Sequence, residues 1–246
     1  MFNKKPINYR FKVVLLVTIM AFFSCIEDVP IIFSEEEIKS VKGADISILY
    51  PEVEGNSETA TRINNTIEDH IVNAISFSEE ELKGVHLADA VGAFNKEYER
   101  FKLDFPDSEQ QWTASVEGEV IYQSEEIITI AMNSYLDTGG AHGNDSITFL
   151  NFNTETGESL ENEDFLKISD SFNKLVKKHF EEEVSADNRS TNDYFFGEPF
   201  QLPANIGLSE DGVVFLYNVY EIASYANGYT EFVIPFEDID AYLKMQ

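Results

Sequence analysis

The sequence predicts an α+β fold: antiparallel sheets packed with three main helices, in two consecutive segments that form one compact unit. Three observations lead there. Strand patterns come in runs, with the helical stretches grouped between them instead of alternating strand by strand. Hydrophobic residues make up 43% of the 246 residues and include 20 Phe, enough for a sizeable core. The formal charge of −28 therefore does not come with the low hydrophobicity of a disordered chain.

The first element is an export signal over residues 1–24. Lys4, Lys5, Arg10 and Lys12 precede an apolar run, Val13 to Phe23, broken only by Thr18. Eleven residues fall short of the roughly 20 needed to span a bilayer as a helix. Ser24 and Cys25 close the run, and Cys25 is the only cysteine. Its position resembles the lipobox of bacterial lipoproteins, with Phe22-Phe23-Ser24 a loose form of the usual Leu-Ala-Gly. That resemblance implies an acylated Cys25, a lipid bilayer as partner, and a place in the bacterial cell envelope at the outer membrane. Each buried methylene contributes about 0.8 kcal/mol, and stable anchoring takes two or more chains. A lipidated Cys25 leaves no thiol for a disulfide, so stability must come from the core.

Residues 25–42 read as an acidic tether, with Glu27-Asp28 and Glu35-Glu36-Glu37 and little periodicity. Residues 43–153 and 154–246 are the two α+β segments. Ala44 to Tyr50 reads as a strand ended by Pro51. Ser57 then caps a helix whose face carries Ile63, Ile67, Ile71 and Ala74, with His70 on its flank. Leu87, Val91, Phe94, Tyr98 and Phe101 place a second helix over 87–103, stopped by Pro106. Trp112–Tyr122, Ile127–Tyr135 and Ser146–Phe152 are strands, and Thr154-Glu155-Thr156-Gly157 is a turn. From Ser169 a third helix carries Phe172, Leu175, Val176 and Phe180. Glu210-Asp211-Gly212 signals a hairpin before a nearly all-apolar strand, Val213–Tyr220. Thr230–Pro235 is the last strand and Phe236–Leu243 a short closing helix.

Removing residues 1–24 takes away four basic residues and no acid, which carries the charge from −28 to −32. Nucleic acid and anionic lipid surfaces need clustered Lys and Arg, so both are excluded as partners. The charge serves solubility, or attracts a cationic partner or divalent cations.

The densest local feature is Tyr135-Leu136-Asp137-Thr138-Gly139-Gly140-Ala141-His142-Gly143-Asn144. Its three glycines demand unusual backbone angles or close backbone approach. No Gly-Lys-Ser/Thr follows, so it is not a nucleotide loop. Ser134 and His142 form no triad, and the chain has no Gly-x-Ser-x-Gly elbow. His70, His86, His142 and His179 have no zinc-motif spacing. The stretch from Asn151 fails as a calcium loop, with Gly157 seventh and Asn162 twelfth. No metal, cofactor or catalytic residue is expected, and the chain is expected not to be an enzyme.

Tyr135, Thr138, Gly139, Gly140, Ala141, His142 and Gly143, then Phe152-Asn153 and Thr156-Gly157-Glu158, resemble the signature of the PdaC/RsiV-like family. Phe215, Tyr217-Asn218, Tyr220-Glu221-Ile222-Ala223, Tyr225-Ala226 and Gly228, leading into Val233-Ile234-Pro235, resemble its second segment. The stretch Phe94-Asn95-Lys96-Glu97-Tyr98-Glu99-Arg100-Phe101 is similar to its first. The resemblance covers about residues 40–245. Family members include extracytoplasmic modules of peptidoglycan deacetylases and the ectodomain of a lysozyme-sensing anti-sigma factor. With Gln246 last and twelve residues before the apolar run, neither a deacetylase domain nor a cytoplasmic sigma-binding domain is expected. The resemblance therefore implies an envelope-anchored, non-enzymatic binding or sensor lipoprotein whose partner is a cationic lysozyme-like muramidase. The alternative is a peptidoglycan- or glycan-binding structural lipoprotein; a glycan-modifying enzyme ranks below both. The glycine-histidine motif reads as architectural, and Tyr220, Tyr225 and Tyr229 as the candidate binding surface, since aromatics dominate binding hot spots.

Overall fold

A computed structural model describes residues 31–245 apart from 41, 187 and 188. The export signal, Cys25 and the start of the expected tether lie outside the described residues. Five strands make the first sheet: β1 (Phe33–Ser40), β2 (Asp45–Val53), β3 (Thr113–Gln123), β4 (Ile127–Asp137) and β5 (Asn144–Asn153), in that order. β1–β2, β3–β4 and β4–β5 are antiparallel, but β2–β3 is parallel. A parallel pair needs a crossover, and here two helices supply it: α1 (Glu58–Ala74) and α2 (Leu87–Asp104).

Both helices form for local reasons. The Ser57 hydroxyl accepts a hydrogen bond from the Ala60 amide at 3.0 Å and caps α1. Ile63, Ile67 and Ile71 then lie fully buried along one stripe. In α2 the buried residues are Leu87, Phe94 and Tyr98, and the helix gives way at Phe105, the residue before Pro106. The first core joins these stripes to Ile46, Ile48, Val116, Ile128 and Ile130 of the sheet.

The second core is more aromatic. α3 (Asn162–Phe165) and α4 (Asp170–Ala186) lead to a three-stranded antiparallel sheet of β6 (Asn205–Ser209), β7 (Gly212–Tyr217) and β8 (Thr230–Pro235). α5 (Phe236–Ile239) and a 3-10 turn, Asp240–Tyr242, close the chain. Phe172, Val176, Phe180 and Val184 of α4 pack on β7, all six of whose residues are buried.

The α+β expectation stands, with three long helices among the described residues. Several details are corrected. The expected tether ends early, because Phe33–Ser40 is a paired edge strand; Phe33 pairs with Val53 and Ile38 with Ile48. Its Glu35-Glu36-Glu37 run is exposed, as a charged edge that discourages further pairing should be. β2 runs through Pro51 to Val53, since Pro51 lies past the last β2–β3 pair, Leu49–Glu117, where a missing N–H breaks no ladder bond. The apolar strand from Val213 stops at Tyr217, not Tyr220. β6 had no expectation attached; the hairpin turn before β7 is Glu210-Asp211 and pairs Ser209 with Gly212.

The two sheets meet over the outer edge of β5, and asparagine side chains make the joint. Asn205 Oδ1 accepts from the Phe149 amide at 2.7 Å while its Nδ2 donates to the Ile147 carbonyl at 2.8 Å. Asn218 does the same at Ile147, both bonds 2.9 Å. Two side-chain amides thus satisfy the outward amides of Ile147 and Phe149 and the Ile147 carbonyl, groups that another strand would otherwise pair. Beneath them, buried Thr129 donates to Asn151 Oδ1 at 2.8 Å, and Asn151 Nδ2 donates to the Ile206 carbonyl at 2.9 Å.

Candidate functional site

The glycine-rich stretch is the hairpin loop between β4 and β5, whose ladder closes at Leu136–Asn144. Asp137 Oδ1 accepts from the Gly139 amide at 2.9 Å and starts the turn. Gly139, at φ +101°, lies in the left-handed half of backbone space, where a side chain is strained. Gly143 is needed for a different reason: a Cβ there would overlap the Tyr135 ring. Thr138 is half-buried in the loop.

His142 leaves this loop and faces the second half of the chain. Its Nδ1 lies 2.8 Å from the Gly143 carbonyl oxygen, so Nδ1 carries the proton. Nε2 of the neutral ring is then an acceptor, and it lies 3.1 Å from the Tyr220 hydroxyl. The imidazole also stacks on Tyr225, centroids 4.1 Å apart and planes 14° apart. Tyr220 and Tyr225 lie 5.5 Å from one another. Tyr220 is 54% and Tyr225 39% exposed.

Tyr220 reaches His142 because Asn218 is bonded to β5. A tight turn follows, in which the Asn218 amide donates to Glu221 Oε2 at 2.8 Å and the Glu221 amide to the Asn218 carbonyl at 3.1 Å. Tyr220, inside that turn, has φ +68°. A bulky residue held there stores on the order of 1–3 kcal/mol, offset by its surroundings. Such strain clusters at functional sites, and here it aims one hydroxyl at one imidazole.

Tyr229 does not share the exposure of the other two tyrosines. It is half-buried, with its hydroxyl covered. Burial, and secondly the neighbouring Asp145 carboxylate, push its pKa up. Neither the Tyr229 hydroxyl nor Asp145 Oδ1 completes a hydrogen bond of normal geometry among the described residues. Tyr135 is 37% exposed, and its pKa is raised by desolvation, then by Asp137, Tyr225 and Asp145. Burial also raises Glu221, opposed by hydrogen bonds from the backbone of Asn218 and Ala204.

The two sets of residues singled out in the sequence, 135–143 and 220–229, therefore meet at one surface. Asn205 and Asn218, which bring them together, carried no signal beyond the place of Asn218 in the Tyr-Asn-x-Tyr-Glu stretch. The Thr154–Gly157 turn belongs to a different joint. Thr59 Oγ1 donates to the Glu155 carbonyl at 2.9 Å, and Arg62 pairs with Glu158 at 3.2 Å, so the turn is fastened to α1. Among the described residues no three His, Cys, Asp or Glu side chains gather as a metal site, and no helix is long and apolar enough to cross a membrane.

A second aromatic cluster lies in the first half. Trp112 is ringed by Phe77, Phe94, Tyr98 and Phe101 at 5.3 to 5.8 Å. Beside it Ile75, Phe77, Leu82, Val85, Ala90 and Phe94 line a groove of about 500 Å³.

Two family models match separate stretches of the chain. Residues 35–145 match the family described as "Deacetylase PdaC", and residues 158–237 the family described as "Protein of unknown function (DUF3298)". No curated protein matches. The crystal structure of a DUF3298 family protein from Pseudomonas aeruginosa PAO1 superposes with a TM-score of 0.59 at 22% identity, over 88% of this chain and 96% of that one. That of a DUF3298 family member from Bacteroides fragilis NCTC 9343 gives 0.58 at 19%, over 87% and 92%. At these identities the likeness is one of fold.

Proposed function

This chain belongs to the PdaC-like family, and on that premise we propose that it is a non-enzymatic binding module of the bacterial cell envelope, tethered by a lipid on Cys25. Its docking surface is the cluster of His142, Tyr220 and Tyr225. Its partner is a cationic, lysozyme-like muramidase. One observation supports this above the others. The loop that carries the glycine-histidine motif and the tyrosines of the C-terminal segment form one exposed aromatic surface, on a chain of formal charge −28. Exposed aromatics supply hot-spot contacts, and opposite net charge speeds encounter.

The test is calorimetry of the purified chain against lysozyme at low and physiological salt. Saturable binding that weakens as salt rises, and that Tyr225→Ala reduces, is expected. Screening contracts electrostatic reach to about 8 Å at physiological ionic strength. No complex at high micromolar concentration rules the muramidase out. Purified peptidoglycan is the control for the second reading, a glycan-binding lipoprotein, which the exposure of Tyr220 and Tyr225 favours. Lipidation is tested separately: a fatty-acid analogue should label the wild type and not Cys25→Ser, and equal labelling would remove the anchor.

A further inference from the structure

Carboxylates outnumber cations around the exposed tyrosines. Asp137 and Asp145 both act on Tyr135, Asp145 acts on Tyr229, and Glu221 follows Tyr220 directly. Asp145 Oδ1 is itself covered and accepts no hydrogen bond of normal geometry among the described residues, so its charge reaches the surface through space. Arg189 reaches the same segment but is held there: its Nη1 donates to the Asn227 carbonyl at 3.1 Å, in the turn that begins at Tyr225, and its guanidinium lies 5.9 Å from the Tyr194 ring centre. His142 stacks on Tyr225, yet the residue remains 39% exposed. Electron-rich ring faces bordered by carboxylates form an environment that favours a positive charge.

We propose that this cluster seats one guanidinium or ammonium side chain of a protein partner against the Tyr220 and Tyr225 rings, with Asp137 and Asp145 as its countercharge. The proposal rests on the reading of this surface as a docking site and names the group that would be read there. Planar, weakly hydrated guanidinium fits a ring face better than a compact ammonium does, so Arg is preferred over Lys. Cation–aromatic contacts strengthen as water is excluded, and the neighbouring Tyr229 and Asp145 are half-buried.

The probes are hexa-arginine, hexa-citrulline and the tetramer of N-acetylglucosamine, titrated into the purified chain at physiological salt. Hexa-arginine should bind and hexa-citrulline should not. Tyr225→Ala should weaken binding roughly tenfold, Asp145→Asn should weaken it too, and Tyr225→Phe should keep most of it. Tyr225→Leu, which keeps apolar bulk without a ring, should behave like Tyr225→Ala and serves if the latter misfolds. Hexa-arginine binding that ignores every Tyr225 variant is diffuse charge attraction and overturns the proposal. So does no binding, or binding of the sugar tetramer alone that depends on Tyr225. If lysozyme binds through Tyr225 and hexa-arginine does not bind, the docking surface survives and the cation seat falls. If hexa-arginine binds through Tyr225 and lysozyme does not bind, the cation seat stands and the muramidase reading falls.

Discussion

The molecule carries two aromatic clusters, built in opposite ways. Around Trp112 the rings are Phe77, Phe94, Tyr98 and Phe101, and the polar atoms are few; even the Trp112 Nε1–H is buried without a partner among the described residues. Around Tyr225 every ring carries a hydroxyl or an imidazole nitrogen, and carboxylates stand beside them. The first cluster extends the core outward and its surplus rings reach solvent, as with Phe77 at 49% exposure. The second is held in place by hydrogen bonds and a strained backbone. Exposed aromatic area alone does not separate a site from a satellite of the core. The polar atoms at its rim do.

That contrast breaks most visibly in stability. Trp112 is partly buried against the first core, so Trp112→Ala should cost about 3 kcal/mol, the low end of the range for core aromatics, while Tyr225→Ala should cost under about 1 kcal/mol. Urea titration measures both, and the reverse order would mean that the Tyr225 cluster is structural. Gly143→Ala should come next, at about 1–3 kcal/mol, because its Cβ must displace the Tyr135 ring. In a double-mutant cycle Tyr135→Ala should recover most of that loss, since the two share one space; additive losses would refute the contact.

Gly139→Val should lower the melting temperature through strain of about 1–2 kcal/mol at positive φ. If melting is unchanged and only ligand binding is lost, the loop itself is the site. The smallest effect is in pH. Burial lowers the His70 pKa below its usual 6.5, so the unfolded chain takes up a proton more readily than the folded one. Stability from this group is complete above pH 6.5 and declines as pH falls through that value. His70→Gln should flatten that part of the urea-midpoint profile, and an unchanged slope would assign it elsewhere.

Much of the fold was legible because its cause is local. Ile63, Ile67 and Ile71 recur at helical spacing, Ser57 is a capping residue, and Thr230–Pro235 alternates buried and exposed. The parallel β2–β3 pair was hidden, since strand direction depends on where the crossover returns and not on the strand's own residues. β1 was hidden by its charge, because an edge strand can expose Glu35, Glu36 and Glu37 and still pair through its backbone. The site was half legible. Glycines and aromatics marked its two parts, but their meeting depends on Asn205 and Asn218, and an asparagine that bonds a distant strand edge looks like any loop asparagine.

The parallel pair also bears on how the chain reaches this structure. Every β2–β3 partnership, from Asp45 with Thr113 to Leu49 with Glu117, joins residues 68 positions apart. β3, β4 and β5, by contrast, succeed one another through short connections and can assemble as a meander. Closing the long loop loses entropy before any pairing offsets it, and distant pairings slow folding. The order this implies is meander and helices first, with the β1–β2 hairpin docking last. The Ala44 amide, held by Asn95 Oδ1 at 3.0 Å, belongs to that late step. Asn95→Ala should therefore accelerate unfolding and leave the folding rate almost untouched.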